Sequence, residues 1–149
     1  MRNRAKHRSR KYVDRLRHAD LFSACSEHEL RVIASLCTPI EIEAGRVLTV
    51  EGTRGYECFV VLGGQAVVER GGSIIAHVVD GSIIGELAMF GDGVRTATVT
   101  AATPMQLLAM SRSEFGALQA LDVGTSVQPR IDAIVEERRA HLDSLAAAV

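Results

Sequence analysis

A carboxylate and a guanidinium stand nine residues apart in residues 85–98, with Glu86 near the start of the segment and Arg95 near its end. A carboxylate accepts hydrogen bonds from sugar hydroxyls, and the planar guanidinium fork holds two phosphate oxygens. A short helical turn after Gly85 would direct free backbone N–H groups toward the same anion. These residue types at this spacing predict a pocket for a small phosphorylated nucleoside.

The same segment resembles the phosphate-binding cassette of the cyclic nucleotide-binding domain family. The family pattern, roughly Gly-Glu-[Leu/Ile]-Ala followed by Arg-[Thr/Ser/Ala]-Ala-Thr, is matched by residues 85–88 and 95–98. The resemblance implies that Glu86 holds the ribose 2′-hydroxyl and that Arg95 holds the cyclic phosphate. The ligand-binding residues that it implies are Gly85, Glu86, Leu87, Ala88, Arg95, Thr96 and Ala97.

The resemblance extends from about residue 21 to about residue 121, and a following helix fits the family's C-terminal lid. Residues 44–48, 51–52 and 59–64 look like its early β-roll. We therefore expect a basic tail and helical lead-in over residues 1–20 and a binding domain with its lid over residues 21–149. In transcription factors of the family a helix-turn-helix would begin where this chain ends, so a stand-alone domain is expected.

Glu86 and Arg95 each also have an ordinary interpretation. Arg95 could be a surface arginine of a loop, and Glu86 could be a carboxylate stabilised by the dipole of a helix N-terminus. A dipole role and a ribose contact are compatible for Glu86. The phosphate and ribose interpretations are favoured because both residues lie in one complete motif.

The other motif residues are small or apolar, apart from Thr96. Leu87 and Ala88 would act through their backbone N–H groups, and the small Ala88 and Ala97 would let the main chain approach the phosphate. Leu87 either couples ligand binding to the C-terminal helices, as the family resemblance implies, or is simple core. Thr96 does not decide which base the ligand carries, because family members with a hydroxyl residue here include binders of cyclic GMP and of cyclic AMP.

The elements around the motif predict an α+β fold. Short β-branched runs alternate with glycines between residues 39 and 111, which is typical of a small antiparallel β-roll of the jelly-roll kind. The runs are residues 40–42, 47–50, 58–62, 66–69, 74–79, 96–100 and 106–110. A helical lead-in over residues 12–18, a short cassette helix and two C-terminal helices complete the predicted fold.

Two Ser-x-x-Glu sequences mark helix starts as capping boxes. The box at residues 26–29 begins a helix that runs to about residue 36, and the box at residues 111–114 begins one that reaches Leu121. Gly124 is expected to break that helix. The last helix is expected to run from about Pro129, a residue suited to a first helical turn, to about Ala147.

The last helix carries an apolar stripe interrupted by Arg138. Arg138 could stack over a bound base, although a surface salt bridge with neighbouring acids is favoured. The stripe could form a homodimer or partner surface, or it could pack inside one chain. Its residues are Ile131, Ile134, Val135, Leu142 and Leu145.

Composition indicates one soluble globular domain with no apolar run long enough to span a membrane and no signal peptide, so a cytoplasmic protein is expected. The three cysteines fit no metal or disulfide pattern and are expected to be reduced. Residues 1–17 carry a net +7 whereas the whole chain is −1. This tail could touch nucleic acid or an anionic membrane surface, but a disordered or helical solvated tail is favoured. No recognition helix is identifiable, so only weak nucleic-acid binding would be expected.

The combined expectation is a non-catalytic regulatory or sensor domain without a cofactor, whose ligand is cyclic AMP. Phosphate capture would order the loop between Glu86 and Arg95, and the C-terminal helices would then close over the base. A binder selective for cyclic GMP and an interaction module that kept the fold but lost the ligand are the alternatives. No nucleophile–base pair or P-loop sequence is present, and His77 is the lone histidine among the strand runs.

Overall fold

The structure, a computed structural model, describes residues 11–89, 92–120 and 124–147. The first ten residues of the predicted basic tail lie outside these ranges, as does Leu121 of the predicted helix. Within the described ranges, every helix is too short or too polar to cross a membrane.

Within the described ranges, eight strands form two antiparallel four-stranded sheets, which confirms the predicted α+β fold with a β-roll. The strands are β1 (Thr38–Ile42), β2 (Val47–Thr49), β3 (Glu57–Gly63), β4 (Ala66–Arg70), β5 (Ser73–Val78), β6 (Ile83–Ile84), β7 (Thr98–Ala101) and β8 (Met105–Ser111). One sheet has the order β1-β8-β3-β6 and the other has the order β2-β7-β4-β5.

Helices flank the sheets at both ends of the chain, as predicted. Residues 11–16 form α1. The others are α2 (Glu27–Leu36), α3 (Arg112–Ala120) and α4 (Gly124–Ala147), with 3-10 turns at Asp20–Phe22 and Glu86–Met89.

Strand β3 is buried on both faces and separates two apolar cores. Phe59 and Val61 face the core between the two sheets. Cys58 and Val60 face a second core, which the helices cover. Because successive side chains of a strand point to opposite faces, a continuous apolar run such as residues 58–62 marks a strand covered on both sides.

Both predicted capping boxes are present. The Ser26 hydroxyl accepts a hydrogen bond from the Glu29 amide at 3.2 Å, and the Glu29 carboxylate accepts one from the Ser26 amide at 2.9 Å. Ser111 and Glu114 make the same reciprocal pair at 3.1 and 2.9 Å. These local hydrogen bonds satisfy free amides of the first helical turn, which is why the two starts could be predicted.

The structure corrects two strand predictions. Strand β6 was not predicted; it has two residues, and it exists because Ile83 and Ile84 pair with Val60 and Phe59 of β3. Strand β7 begins at Thr98 rather than at residue 96, since residues 96–97 line a cavity instead.

The predicted start of the last helix is wrong. Helix α4 begins at Gly124 and contains Pro129 inside its second turn. Val127 and Ile131, on either side of the proline, are 0% and 3% exposed. Their burial in the helical core outweighs the one backbone hydrogen bond that proline cannot donate.

Most of the apolar stripe on α4 packs within the chain, so the intramolecular alternative holds for it. Ile131 belongs to the core that also includes Val13 and Leu16 of α1, and Ile134 and Val135 pack against that core. Leu142 lines a cavity. A dimer surface made of the whole stripe is therefore wrong for this structure.

All three cysteines are free thiols. Burial raises the pKa of Cys25 to about 11 and the pKa values of Cys37 and Cys58 to about 12. A thiol with such a pKa stays protonated near neutral pH and behaves as a small apolar side chain.

The packing of α4 predicts the cost of shortening Ile131. Ile131→Ala should lower the free energy of unfolding by about 2–5 kcal/mol, because it removes buried methyl groups and leaves a cavity. Arg139→Ala, at an exposed position of the same helix, is the matched control. Urea denaturation measures both variants. Equal midpoints for the two variants would contradict the burial of this face of α4.

Candidate functional site

Strand β6 and the turn after it place Glu86 in the interior. Gly85 has a φ of +81°, a conformation that L side chains rarely adopt, and it redirects the chain from β6 into the 3-10 turn Glu86–Met89. Ala88 and Met89 of this turn lie in the helical core. Leu87 is half-buried and lines a cavity instead. This placement disfavours the simple-core interpretation of Leu87.

The Glu86 carboxylate is 2% exposed and forms an ion pair. Its Oε2 atom lies 2.7 Å from Nη1 of Arg138 on α4. The second nitrogen of that guanidinium, Nη2, donates a hydrogen bond of 2.7 Å to the carbonyl of Ile83. Arg138 thus ties α4 to both the last strand before the turn and the first residue of the turn.

The other carboxylate oxygen of Glu86, Oε1, is buried and has no hydrogen-bond partner among the described residues. Burial raises the pKa of the Glu86 carboxyl above its ordinary value of 4.5, and the Arg138 guanidinium opposes that shift. A buried acceptor without a donor is costly, so this oxygen is suited to a hydroxyl supplied from outside the protein.

The position of Arg138 corrects the sequence interpretation. A surface salt bridge with neighbouring acids was favoured, but the partner is Glu86, which lies 52 residues away in the chain. Arg138 is 38% exposed and its partner is 2% exposed, so the pair is partly buried rather than superficial. Sequence spacing along a helix could not have indicated this partner.

The Arg95 guanidinium is held between two glycines. Arg95 is 6% exposed, and a Cβ atom added to Gly55 or to Gly85 would collide with its side chain. Its Nη1 atom donates a hydrogen bond of 3.3 Å to the carbonyl of Gly85. Among the described residues no carboxylate lies within 4.0 Å of this guanidinium. Burial lowers the pKa of Arg95, whereas the Glu57 carboxylate opposes that shift.

A cavity of about 170 Å³ brings the predicted residues together. All seven residues that the sequence motif implied line it, in the two groups Gly85–Ala88 and Arg95–Ala97. The resulting site has two guanidiniums and one carboxylate within a mainly apolar wall. An anion that also carries a hydroxyl group complements this arrangement.

The structure adds lining residues that sequence reasoning missed. Thr49, Val68 and Val99 come from the second sheet, residues 75–78 come from β5, and His141 and Leu142 come from α4. Nε2 of His141 lies 3.4 Å from the carbonyl of Ile75, so α4 contacts the edge of the sheet at this point. One signal was available, since His141 follows Arg138 by three residues and shares its helix face.

Comparisons with known proteins agree with this geometry. Residues 39–122 match the family model described as the cyclic nucleotide-binding domain. The chain is 31% identical over 105 residues to the cAMP-dependent protein kinase regulatory subunit of Eremothecium gossypii, covering 70% of this chain and 23% of that protein. It is 29% identical over 102 residues to the cGMP-dependent protein kinase egl-4 of Caenorhabditis elegans, covering 68% of this chain and 13% of that protein.

A solved structure has the same fold. The cAMP-bound PfPKA-R structure superimposes with a TM-score of 0.84 at 23% identity, covering 95% of this chain and 48% of that chain. At this identity the likeness shows the fold alone. The chain spans about a quarter or less of the length of the two curated relatives.

The raised pKa of Glu86 predicts how stability depends on pH. In the unfolded chain this carboxyl ionises near 4.5. The folded protein ionises it only at higher pH, so folding loses free energy as pH rises between the two values. Glu86→Gln removes this titration. The stability of the wild type relative to Glu86→Gln should therefore fall as pH rises above about 4.5 and then level off above the folded-state pKa.

Urea denaturation at several values between pH 4 and pH 8 would measure this difference. Glu136→Gln, at an exposed position of α4, controls for the loss of a carboxylate as such. A relative stability of the wild type that rises with pH would show instead that the Arg138 ion pair outweighs the desolvation of Glu86.

Proposed function

The chain belongs to the cyclic nucleotide-binding domain family, and from that premise we propose that it is a regulatory module that binds cyclic AMP between the Glu86–Met89 turn and α4. The domain would act by binding and would not catalyse a reaction. Gly85, Leu87, Ala88, Thr96 and Ala97 would surround the sugar and phosphate, as the sequence motif implied.

The observation that carries this proposal is a pair of unmatched groups in one cavity. The Arg95 guanidinium is 6% exposed and lacks a carboxylate within 4.0 Å among the described residues. Oε1 of Glu86 is buried without a donor. A cyclic nucleotide offers a phosphate monoanion to the first group and a ribose hydroxyl to the second. Both costs of burial are then relieved by one ligand.

The Arg138 contact supports a mechanism for the output. The ligand hydroxyl would use Oε1 of Glu86 while Oε2 stays with Arg138, so ligand and α4 would share one carboxylate. A ligand that fixes Glu86 would then favour the docked position of α4 over alternative positions. Such a shift is limited by the difference in ligand affinity between the two positions.

Cyclic GMP is the second candidate ligand. Thr96 lines the cavity, and no hydrogen bond of its hydroxyl is formed among the described residues. That hydroxyl could serve a guanine group, and one relative is a cGMP-dependent protein kinase. A ligand-free interaction module is the alternative outside this class.

The role of the domain in a larger system is also a proposal. Because the chain covers only a part of much longer curated relatives, the output would pass to another domain or to a protein partner. A homodimer or a protein partner through the C-terminal helix stays a prediction, as does the division into residues 1–20 and 21–149. The first ten residues of the basic tail lie outside the described residues, and nucleic-acid binding is not proposed for the tail.

The two charged residues should differ in their effect on affinity. We expect cyclic AMP to bind in the micromolar range, on the order of −8 kcal/mol. Arg95→Ala should weaken binding by roughly 2–5 kcal/mol, since it leaves the buried phosphate without its charged partner. Glu86→Ala should weaken it by roughly 1.5–3 kcal/mol, the scale of a hydrogen bond to a charged group. Isothermal titration calorimetry with both cyclic nucleotides measures these losses.

Arg139→Ala, outside the cavity, serves as the binding control. A larger loss for Glu86→Ala than for Arg95→Ala would reverse the assigned roles. Tighter binding of cyclic GMP by the wild type would favour the second candidate. No heat and no thermal shift with either nucleotide at millimolar concentration would leave the ligand-free interaction module.

The proposed mechanism predicts a separation of binding from output in Arg138→Ala. Without the guanidinium, ligand at Glu86 should no longer stabilise α4, so the coupling of roughly 1–3 kcal/mol typical of linked sites should be lost. Hydrogen exchange of residues 136–147 with and without cyclic AMP measures it. Ligand-induced protection in the wild type and none in Arg138→Ala is the expected result. Equal protection in both proteins would refute this route.

A further inference from the structure

A short ladder outside the cassette fixes the backbone of Arg95. The Gly52 amide donates to the Arg95 carbonyl at 2.9 Å, and the Arg95 amide donates to the Thr53 carbonyl at 2.7 Å. The Gly55 amide donates to the carbonyl of Gly93 at 2.7 Å. Residues 52–55, between β2 and β3, therefore clamp the backbone of residues 93–95.

Gly55 lies at the end of this clamp and directly against the guanidinium. A Cβ atom built on Gly55 would fall within 3.0 Å of Nε, Cζ and Nη1 of Arg95. The distance to Cζ would be 2.5 Å, so the guanidinium would have to retreat by about 0.9 Å to reach the 3.4 Å of ordinary van der Waals contact. A Cβ atom built on Gly85 would also fall within 3.0 Å of Nη1, so both glycines lie beside the same guanidinium nitrogen.

The requirement for glycine at position 55 is purely steric. Gly85 also needs its positive φ of +81°, but Gly55 does not have a φ in the left-handed region. An alanine could adopt the backbone conformation of Gly55 without strain. Glycine is needed at this position because the Arg95 side chain fills the space that a Cβ atom would take. This separates Gly55 from glycines that serve turns.

We propose that Gly55 is the positioning residue for the phosphate-binding guanidinium: the absent side chain at this position sets where the Arg95 fork lies in the cavity. The clamp of residues 52–55 holds the Arg95 backbone, and Gly55 and Gly85 both leave free the space that its guanidinium occupies. The inference rests on the proposed function in naming cyclic AMP as the ligand. The positional part concerns this chain's own atoms and has a readout that needs no ligand.

The test is Gly55→Ala, with Gly116→Ala as the matched control. Gly116 lies in α3, has no positive φ, and a Cβ atom there would meet nothing within 4 Å. Gly55→Ala should weaken cyclic AMP binding about 10- to 100-fold, the scale of a misplacement near 1 Å in a preorganised site. Gly116→Ala should bind as the wild type does. Calorimetry measures both affinities.

A second readout follows the guanidinium without ligand. The Arg95 Nε–H cross-peak, assigned in a ¹H–¹⁵N spectrum by its loss in Arg95→Lys, should move in Gly55→Ala and stay in place in Gly116→Ala. If the wild type binds neither cyclic nucleotide, the proposed function fails while this peak still decides the positioning role. Unchanged affinity in Gly55→Ala, or weaker binding with an unmoved peak, would overturn the inference.

Loss of folding in Gly55→Ala would also be informative. The double variant Gly55→Ala/Arg95→Ala removes the atoms that the new Cβ atom would meet. Recovery of cooperative thermal unfolding in the double variant would assign the clash to Arg95 and support the inference. Failure to recover would show that the alanine disturbs the fold by another route and would overturn it.

Discussion

The cost of burying ionised groups is the constraint on which this site depends. Arg95 and Glu86 are 6% and 2% exposed, and each would lose several kcal/mol of hydration in an apolar interior if left without partners. The protein itself compensates part of this cost through the ion pair between Arg138 and Glu86. Glu86 has Arg138 on one oxygen and no hydrogen-bond partner among the described residues on the other, and Glu86 and Arg95 line a shared cavity. The ligand-binding potential of the domain follows from this incomplete pairing.

The Glu86–Arg138 pair is buried unequally. Glu86 is 2% exposed whereas Arg138 is 38% exposed, so water reaches the guanidinium far more readily than the carboxylate. The hydrogen bond to the Ile83 carbonyl gives the guanidinium a second partner. The geometry therefore combines a buried carboxylate with a partly exposed guanidinium.

Each of the two apolar cores supports a different part of the site. The core between the sheets supports the cavity floor, where Val99 and Ile84 contribute both to the packing and to the lining. The helical core fixes Ala88 and Met89 of the turn and the first half of α4. Because β3 belongs to both cores, the same strand supports the floor of the cavity and the core against which α4 packs. Beyond residue 135, Arg138, His141 and Leu142 of α4 line the cavity.

Local interactions made a large part of this structure predictable from the sequence. The capping boxes at residues 26–29 and 111–114 close within three residues, and the alternation of apolar side chains depends only on the strand itself. The cassette motif likewise indicated seven of the residues that line the cavity, since its two parts are separated by only six residues. The β-roll and the helices C-terminal to it agree with the predicted fold.

Only the tertiary structure decided which distant groups meet. The two-residue strand β6 exists through its pairing with β3, and the early start of α4 depends on the burial of Val127 and Ile131 in a core formed by other elements. Arg138 looked like a surface residue, but the docking of α4 brings it to Glu86, 52 residues away. In the sequence Gly55 is a glycine between two predicted strands, and only the folded structure places the Arg95 guanidinium beside it. The sequence determined the local geometry and the residue types, whereas topology determined their partners, because a contact between remote segments depends on how every intervening element packs.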